Sequence, residues 1–143
     1  MNSDSNWLPW ALLSAVFAAL TTIFAKVGLK GVDSDLATLI RTVVIVFVLG
    51  VFVAFTGKWS NPFALSWQTW TFLVLSALAT GASWVAYFRA LQRGTAAQVA
   101  PVDKLSLLLV AVFAATFLGE RPSWREWGGI ALVGVGVLVL SLK

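Results

Sequence analysis

The sequence predicts an all-α integral membrane protein, a bundle of five transmembrane helices forming one domain over residues 1–143. Hydrophobic residues make up 59% of the chain and charged residues only 11%, whereas a soluble domain carries about 25% charged residues. Apolar runs of about 16–23 residues recur along the chain, and a helix of that length approaches the ~30 Å hydrocarbon thickness of a bilayer. Composition and run length therefore lead to the same fold class.

Polar and turn-forming residues separate the five predicted spans. Ser34 or Asp35 suits the N-cap position of the second span. Gly119 followed by Pro122 is typical of a sharp helix end after the fourth span, and Ser123 can cap the fifth. The predicted spans cover residues 7–26, 36–56, 67–88, 96–118 and 126–142.

Two of these spans require a choice between interpretations. The second span carries Arg41 and could be dropped in a four-span scheme, but a long arginine side chain can reach the interface, so we retain it. The first span is preceded by Met1 to Asn6, which lack the basic region of a signal peptide. We therefore expect residues 7–26 to remain as a membrane helix.

An odd number of spans places the chain ends on opposite sides of the membrane. The positive-inside rule then favours an outside N-terminus and a cytoplasmic C-terminus, although the bias is shallow enough to allow insertion in both orientations. The Lys and Arg residues counted are Lys58, Arg121 and Arg125 on the N-terminal side, and Lys26, Lys30, Arg89, Arg93 and Lys143, with Arg41 as a sixth, on the other.

Tryptophan is distributed as expected for an interfacial belt. Trp84 is the exception, because it lies inside the third predicted span. The other seven of the eight tryptophans fall on the N-terminal side: Trp7, Trp10, Trp59, Trp67, Trp70, Trp124 and Trp127.

The composition excludes several kinds of chemistry. The chain has no cysteine and no histidine, which rules out disulfides, thiolate or imidazole metal sites, and cysteine or histidine catalysis. We predict no enzyme activity, no metal and no cofactor. The net charge of +4 comes from single Lys and Arg residues between apolar runs, a pattern that indicates span-orienting loops rather than nucleic-acid binding.

One polar cluster is predicted inside the membrane. Asp103 and Lys104 lie about two turns into the fourth span, and each buried charge costs about 2.5–3.5 kcal/mol on insertion scales. Lys26 and Arg41 lie in the same half of the membrane. In one interpretation Asp103 forms a packed ion pair with Arg41 or Lys26 that fixes helix register, while Lys104 reaches the interface. In the other, the four residues line a solute path and bind an anionic group or take part in proton coupling.

Further residues belong to the same prediction. Pro101 can bend the fourth helix, which also carries Ser106 among the candidate path residues. Trp84 and Tyr87 share one side of the third span and suit a solute-contacting wall, although lipid or helix packing is an equally ordinary role. Gly129 and Gly136, seven residues apart on the last span, predict a dimer seam.

Four stretches of the chain resemble the EamA-like domain of the drug/metabolite transporter superfamily, in its single-domain, five-span bacterial and archaeal form. They are Ala25-Lys26-Val27-Gly28-Leu29-Lys30, Ala37-Thr38-Leu39-Ile40-Arg41, Ala100-Pro101-Val102-Asp103-Lys104-Leu105-Ser106, and Leu118-Gly119-Glu120-Arg121 followed by a glycine-rich last helix.

The resemblance extends to the small multidrug resistance transporters, with one departure. Their first helix holds a membrane-embedded glutamate that exchanges protons for cationic drugs, and the matching position here is Ala18, which argues against that exchange. Their last helix dimerises through glycines that correspond to Gly129 and Gly136. Larger superfamily members resemble two inverted five-span units in tandem, so the resemblance implies that a lone unit forms an antiparallel homodimer.

These expectations combine into a secondary transporter in a bacterial or archaeal plasma membrane, exporting small organic solutes by alternating access as a homodimer. The formal charge of the four-residue cluster, +2, favours an anionic or zwitterionic solute. Two alternatives stay open. One is a non-transporting membrane subunit or assembly partner, and the other is a flippase of lipid-linked sugars.

Overall fold

The computed structural model describes residues 7–141, and its regular elements are helical throughout that range. Five helical stretches are long and apolar enough to cross a membrane, with α4 and α5 together forming the fourth. This confirms the predicted all-α membrane fold; residue 142, the predicted end of the fifth span, lies outside the described range. The elements are α1 (Trp7–Gly28), α2 (Ser34–Phe55), a 3₁₀ helix (Pro62–Ala64), α3 (Trp67–Arg93), α4 (Ala96–Asp103), α5 (Ser106–Phe117) and α6 (Trp124–Ser141).

The N-cap predicted for α2 is wrong. Ser34 is the first residue of the helix, and the cap is Asp33, whose carboxylate accepts hydrogen bonds from the backbone N–H groups of Asp35 at 2.9 Å and Leu36 at 3.1 Å. A carboxylate in this position satisfies donors that have no partner within the helix. The short run of three polar residues offered three possible caps, and the earliest one is used.

The end predicted for the third span is also too early. α3 continues from the predicted end at residue 88 through Arg93. Arginine is a good helix former, so a charge near the interface ends the apolar run without ending the helix. Hydropathy located the membrane-crossing part of α3 and missed its last polar turn.

The helix end predicted at Gly119 and the helix cap predicted at Ser123 are both confirmed. Gly119 adopts a φ of 68°, the left-handed conformation that ends a helix, just after α5. Ser123 and Glu126 form a reciprocal capping box at the start of α6, with the N–H of Glu126 donating to Ser123 Oγ and the N–H of Ser123 donating to the Glu126 carboxylate. These bonds fix where α6 begins.

The chain divides into two compact units. One comprises residues 24–92, and the other comprises residues 93–141 together with 7–23. The boundary within α1 falls between Ile23 and Phe24. The prediction of a single domain over residues 1–143 stays a prediction.

In the unit of residues 24–92, the last turns of α3 pack onto the connection between α1 and α2. Leu29, Phe88 and Leu91 are buried there. The Gln92 amide donates to the Val32 carbonyl at 2.7 Å, and the Lys26 ammonium donates to the Leu91 carbonyl. Hydrogen bonds to backbone carbonyls thus anchor the end of α3.

In the other unit, α6 packs against α4 and α5 through small residues. Ala111 and Ala114 of α5 are buried, as are Gly134 and Val137 of α6. A Cβ atom built on Gly134 would lie 2.9 Å from a methyl carbon of Leu108, so the absence of a side chain permits this approach. Close contact between small residues is the usual way for helices to associate in a bilayer.

Candidate functional site

Arg41 lies in the membrane span α2 with its guanidinium over two aromatic rings of α3. Its Cζ atom is 4.3 Å from the ring centroid of Trp84 and 5.3 Å from that of Phe88. Such cation–π contacts contribute about 0.5–2 kcal/mol, with the larger values in desolvated sites. The structure therefore joins two candidates predicted separately, Arg41 and Trp84, and the tryptophan outside the interfacial belt is the one that holds the arginine.

Tyr87 continues the same aromatic wall. Its ring packs against that of Phe88 with centroids 6.4 Å apart and an interplanar angle of 60°, the tilted arrangement that aromatic pairs prefer. Tyr87 and Arg41 are both half-buried. Phe88, which is 3% exposed, is the buried floor beneath them.

Lys26 lies in the same unit, at the end of α1. It donates to the Leu91 carbonyl and lines a pocket of about 440 Å³ together with Lys30 and Gln92. The hydrogen bond gives Lys26 a structural function in holding the end of α3. Its predicted part in a solute path stays a prediction.

Asp103, Lys104 and Ser106 lie together at an interruption of the fourth span. α4 ends at Asp103 and α5 begins at Ser106. The Lys104 ammonium is 3.4 Å from the Asp103 carboxylate, and the two side chains are 52% and 37% exposed, respectively. Neighbours on a regular helix diverge by about 100°, and the long Lys104 side chain nevertheless reaches the Asp103 carboxylate.

The interruption lies after Pro101, which is itself inside α4, whereas the ring and missing N–H of a proline disturb the preceding turn. The N–H of Lys104 donates to the Pro101 carbonyl at 2.9 Å and that of Leu105 to the Val102 carbonyl at 3.0 Å, so the spacing tightens from four residues to three. Ser106 Oγ donates to the Asp103 carbonyl at 2.9 Å. A side chain thus satisfies a carbonyl at the break, which identifies a discontinuous membrane helix.

The structure does not test the four-residue cluster as a whole. Lys26 and Arg41 belong to the unit of residues 24–92, whereas Asp103 and Lys104 belong to the other. Each unit brings together the members it contains, as described above. The choice between a structural and a functional role stays a prediction for all four residues.

The two glycines of the predicted dimer seam face open space within the protomer. A Cβ atom on Gly129 or Gly136 would meet nothing within 4 Å. Gly134, on the opposite side of α6, is the glycine that contacts α5 through Leu108. α6 therefore uses one small residue internally and leaves Gly129 and Gly136 exposed.

Sequence reasoning missed an ion pair between α2 and α3. Both carboxylate oxygens of Asp35 accept from Arg89, with Nε at 3.0 Å and Nη2 at 2.6 Å. The two side chains are about half exposed. Their shared location on one side of the membrane was a usable signal, but the register between α2 and α3 was not predictable from periodicity.

A groove of about 600 Å³ between α2 and α3 begins at Asp35 and was also missed. Its polar lining comprises Thr38 and Thr42 of α2 and Ser76 and Thr80 of α3. Within residues 7–141, no group of three His, Cys, Asp or Glu residues is placed to hold a metal ion.

Five apolar helices with a guanidinium inside one span are features of a multi-pass membrane protein, and interrupted helices of this kind occur in several transporter folds. The EamA-like transporter family matches residues 5–142 of this chain. The chain belongs to the EamA-like transporter family, in agreement with the resemblance found in its sequence motifs.

Individual relatives agree with this assignment. An "Uncharacterized transporter in cobO 3'region" from Sinorhizobium sp is 56% identical over 139 residues, which cover 97% of this chain and 99% of that protein. An uncharacterized protein of Methanocaldococcus jannaschii is 24% identical over 132 residues, 92% of this chain and 93% of that one.

A further relative carries a more specific description. The probable 4-amino-4-deoxy-L-arabinose-phosphoundecaprenol flippase subunit ArnE of Yersinia pestis strain Pestoides F is 27% identical over 84 residues, 58% of this chain and 74% of that protein. No solved structure is significantly similar to this chain.

Proposed function

We propose that this protein is a secondary transporter of small organic solutes bearing a negatively charged or zwitterionic group, and that Arg41 binds that group. The observation that carries the proposal is the guanidinium of Arg41 resting on Trp84 and Phe88 inside a membrane span. Its contacts in the unit of residues 24–92 are with aromatic faces rather than with a carboxylate.

The energetics of Arg41 favour an anionic ligand. Arg41 lies before the centre of α2, so the cost of about 2.5–3.5 kcal/mol for a charge at a span centre is an upper limit for it. A cation–π contact contributes about 0.5–2 kcal/mol in the opposite direction. The carboxylates of the same unit have other partners, because Asp33 caps α2 and Asp35 accepts from Arg89. A planar guanidinium with five donors matches a carboxylate or phosphate on a solute.

The discontinuous fourth span supports transport by alternating access. Transporters of several folds place substrate sites at broken helices, where backbone groups and charged side chains reach a cavity. We assign Asp103, Lys104 and Ser106 at the break as solute-path residues of their unit, and Lys26 and Tyr87 as solute-path residues of the unit of residues 24–92. The charges of Lys26, Arg41, Asp103 and Lys104 sum to +2, which favours an anionic or zwitterionic solute.

The proposed assembly is a homodimer in a plasma membrane, with Gly129 and Gly136 at the seam. Both glycines lack internal neighbours within 4 Å and so permit close approach of a second α6. An antiparallel dimer would place the polar path near each face of the membrane, and the shallow charge bias permits both orientations. If the protein inserts in one orientation only, we propose that its N-terminus lies outside. We propose export as the direction of transport.

A flippase subunit for lipid-linked sugars is the second candidate. The 27% identity to the flippase subunit ArnE over 84 residues favours it, and Arg41 would then contact a lipid phosphate instead of a solute carboxylate. As a flippase subunit, the chain would act within a heteromeric membrane complex. Neither version includes an enzymatic step.

Transport in proteoliposomes tests the proposal. Radiolabelled alanine and malate serve as the zwitterionic and anionic probes, and a fluorescent polyprenyl phosphate serves as the lipid probe. We expect Arg41→Gln to lower transport of whichever probe moves by about tenfold, the equivalent of ~1.4 kcal/mol. Arg41→Lys, which keeps the charge without the planar fork, should restore part of the rate.

The matched control is Arg121→Gln, which removes the same charge from the exposed turn after α5. Transport unaffected by Arg41→Gln would overturn the site, and unchanged rates for both Asp103→Asn and Lys104→Gln would remove the helix break from the path. Movement of the polyprenyl phosphate alone would replace the solute transporter by the flippase subunit.

A further inference from the structure

We propose that the groove between α2 and α3 is a phospholipid site that selects a headgroup with N–H donors, such as phosphatidylethanolamine. The groove is about 600 Å³ and lies wholly within the unit of residues 24–92. Its walls are two membrane spans, so the surrounding bilayer supplies the occupant. Trp84 lines the groove and also contacts Arg41, but the proposed lipid site does not depend on what the protein transports.

Three of the four hydroxyl groups that line the groove can only accept further hydrogen bonds. The hydroxyls of Thr38, Thr42 and Thr80 each donate to the backbone carbonyl four residues earlier, at 2.8, 2.8 and 2.9 Å. With their protons committed, these oxygens offer only lone pairs. Neither lysine nor arginine is among the described residues that line the groove. A ligand that donates hydrogen bonds therefore fits this wall.

The ion pair at the end of the groove fits a zwitterionic headgroup. Asp35 lines the groove and accepts from Arg89, and the side chains of Arg89 and Asp35 remain 53% and 49% exposed. An ammonium can bind the remaining lone pairs of Asp35 while the adjacent phosphate binds the remaining N–H groups of Arg89. The dipole of the headgroup and the dipole of the Asp35–Arg89 pair would lie antiparallel, so each of the four charges has a counter-charge.

The chemistry of the ammonium decides which lipid fits. Ethanolamine carries three N–H donors, whereas the trimethylammonium of choline carries none and is bulkier. The Asp35 carboxylate, with acceptor-only threonine hydroxyls nearby, therefore binds the ethanolamine ammonium more tightly, because only that group can donate charge-assisted hydrogen bonds. The acceptor chemistry of the groove therefore predicts discrimination between lipids that differ only in N-methylation.

The length of the groove fits one acyl chain. Its lining extends along α3 from Leu73 to Val85, about 18 Å at 1.5 Å per residue. One leaflet of the hydrocarbon core is ~15 Å thick, half of the bilayer value. Leu39 and Leu73 are 60% and 54% exposed and supply apolar walls below the headgroup.

Native mass spectrometry of the full-length protein tests the site without any transport measurement. The delipidated protein is mixed with equal amounts of phosphatidylethanolamine and phosphatidylcholine of identical acyl chains. We expect phosphatidylethanolamine to be retained roughly three- to tenfold more, a difference of about 0.7–1.4 kcal/mol, because only its ammonium donates charge-assisted hydrogen bonds. Asp35→Asn should bring the two lipids close to parity.

A pair of glycine variants tests the groove itself. Gly81 lines it, and a Cβ atom there would meet nothing within 4 Å, so Gly81→Leu can fill the groove while the protomer folds normally. Gly50→Leu is the control, since Gly50 lies on α2 outside the lining and has equally open surroundings. We expect Gly81→Leu to abolish the selective retention and Gly50→Leu to preserve it.

Equal retention of the two lipids by the wild type would overturn the proposal, as would selective retention that persists in Gly81→Leu. A shifted proportion of dimer in Gly81→Leu with unchanged lipid retention would assign the groove to a second copy of the chain and would also overturn it. Because binding is measured directly, a failed transport assay leaves these outcomes unaffected.

Discussion

The two compact units hold their helices together by different means. In residues 24–92, charged side chains make the contacts, with Arg41 over Trp84 and Arg89 on Asp35. In residues 93–141, small residues permit close approach, as where Gly134 meets Leu108. Lipid is as apolar as leucine, so helices in a bilayer associate by packing or by polar contacts rather than by hydrophobic exclusion. The two units illustrate these two routes separately.

The difference also separates the places where ligands can act. Polar contacts between α2 and α3 leave side chains partly exposed, and an open groove lies beside them. The contact of α6 with α5 buries Gly134, Val137 and Ala111 instead. A partly exposed charged side chain can exchange its protein partner for a ligand. A contact between buried small residues leaves no polar group for a ligand to bind.

The largest effect on stability should come from filling the small-residue contact. We expect Gly134→Leu to destabilise the protein by about 1–3 kcal/mol, the usual cost of overpacking, because its Cβ would lie 2.9 Å from Leu108. Thermal unfolding of the detergent-purified protein measures the change. Gly128→Leu is the control, since Gly128 also lies on α6, lies outside the proposed dimer seam and has nothing within 4 Å of an added Cβ atom. Equal unfolding temperatures for the two variants would contradict the assignment.

An intermediate effect is expected at the break in the fourth span. Ser106→Ala removes the hydrogen bond to the Asp103 carbonyl and should cost about 0.5–1.5 kcal/mol. Amide hydrogen exchange at Leu107 and Leu108 should accelerate, because their N–H groups bond to carbonyls in the same turn.

The comparison variant for this prediction is Ser141→Ala. Ser141 also donates to the carbonyl three residues earlier, but at the end of α6. Its loss should leave exchange at Leu107 unchanged. Similar acceleration at Leu107 in both variants would mean that Ser106 does not stabilise the break specifically.

The smallest effect is expected for the ion pair between α2 and α3. Arg89→Gln should lower the unfolding temperature only slightly in low salt, because the pair is half exposed. The difference from the wild type should vanish in high salt, where exposed charges are screened. Arg93→Gln removes an equal charge one turn further on and serves as the comparison. A large decrease that persists in salt would show that this pair is a principal contact of the unit.

Much of the fold followed from hydropathy, because the bilayer imposes span length and excludes charge. Five apolar runs separated by polar turns left little choice. One error occurred where neighbouring residues can serve the same structural role. Asp33, Ser34 and Asp35 can each cap α2, and Asp33 is the residue that does so. The extension of α3 to Arg93 was missed because the end of an apolar run is not a helix-ending signal.

The candidate site was predictable in its residue types and not in its pairings. The sequence identified three candidates because they are polar or aromatic residues within apolar spans, namely Arg41, Trp84 and Tyr87. Their contacts depend on the register of α2 against α3, which no local pattern encodes. The Asp35–Arg89 pair was missed for that reason, although both residues lie near one side of the membrane.

The break at Lys104 and Leu105 gives the fourth span the mechanics of two rods joined by a short link. α4 and α5 have 8 and 12 residues, about 12 Å and 18 Å of rigid helix. A change of angle between them requires rotation about the backbone bonds of the link and breaks the hydrogen bonds that cross it, such as those from the Leu105 N–H to Val102 and from the Ser106 hydroxyl to Asp103. Because Asp103 and Lys104 are attached at this link, any such movement turns their charges within the membrane.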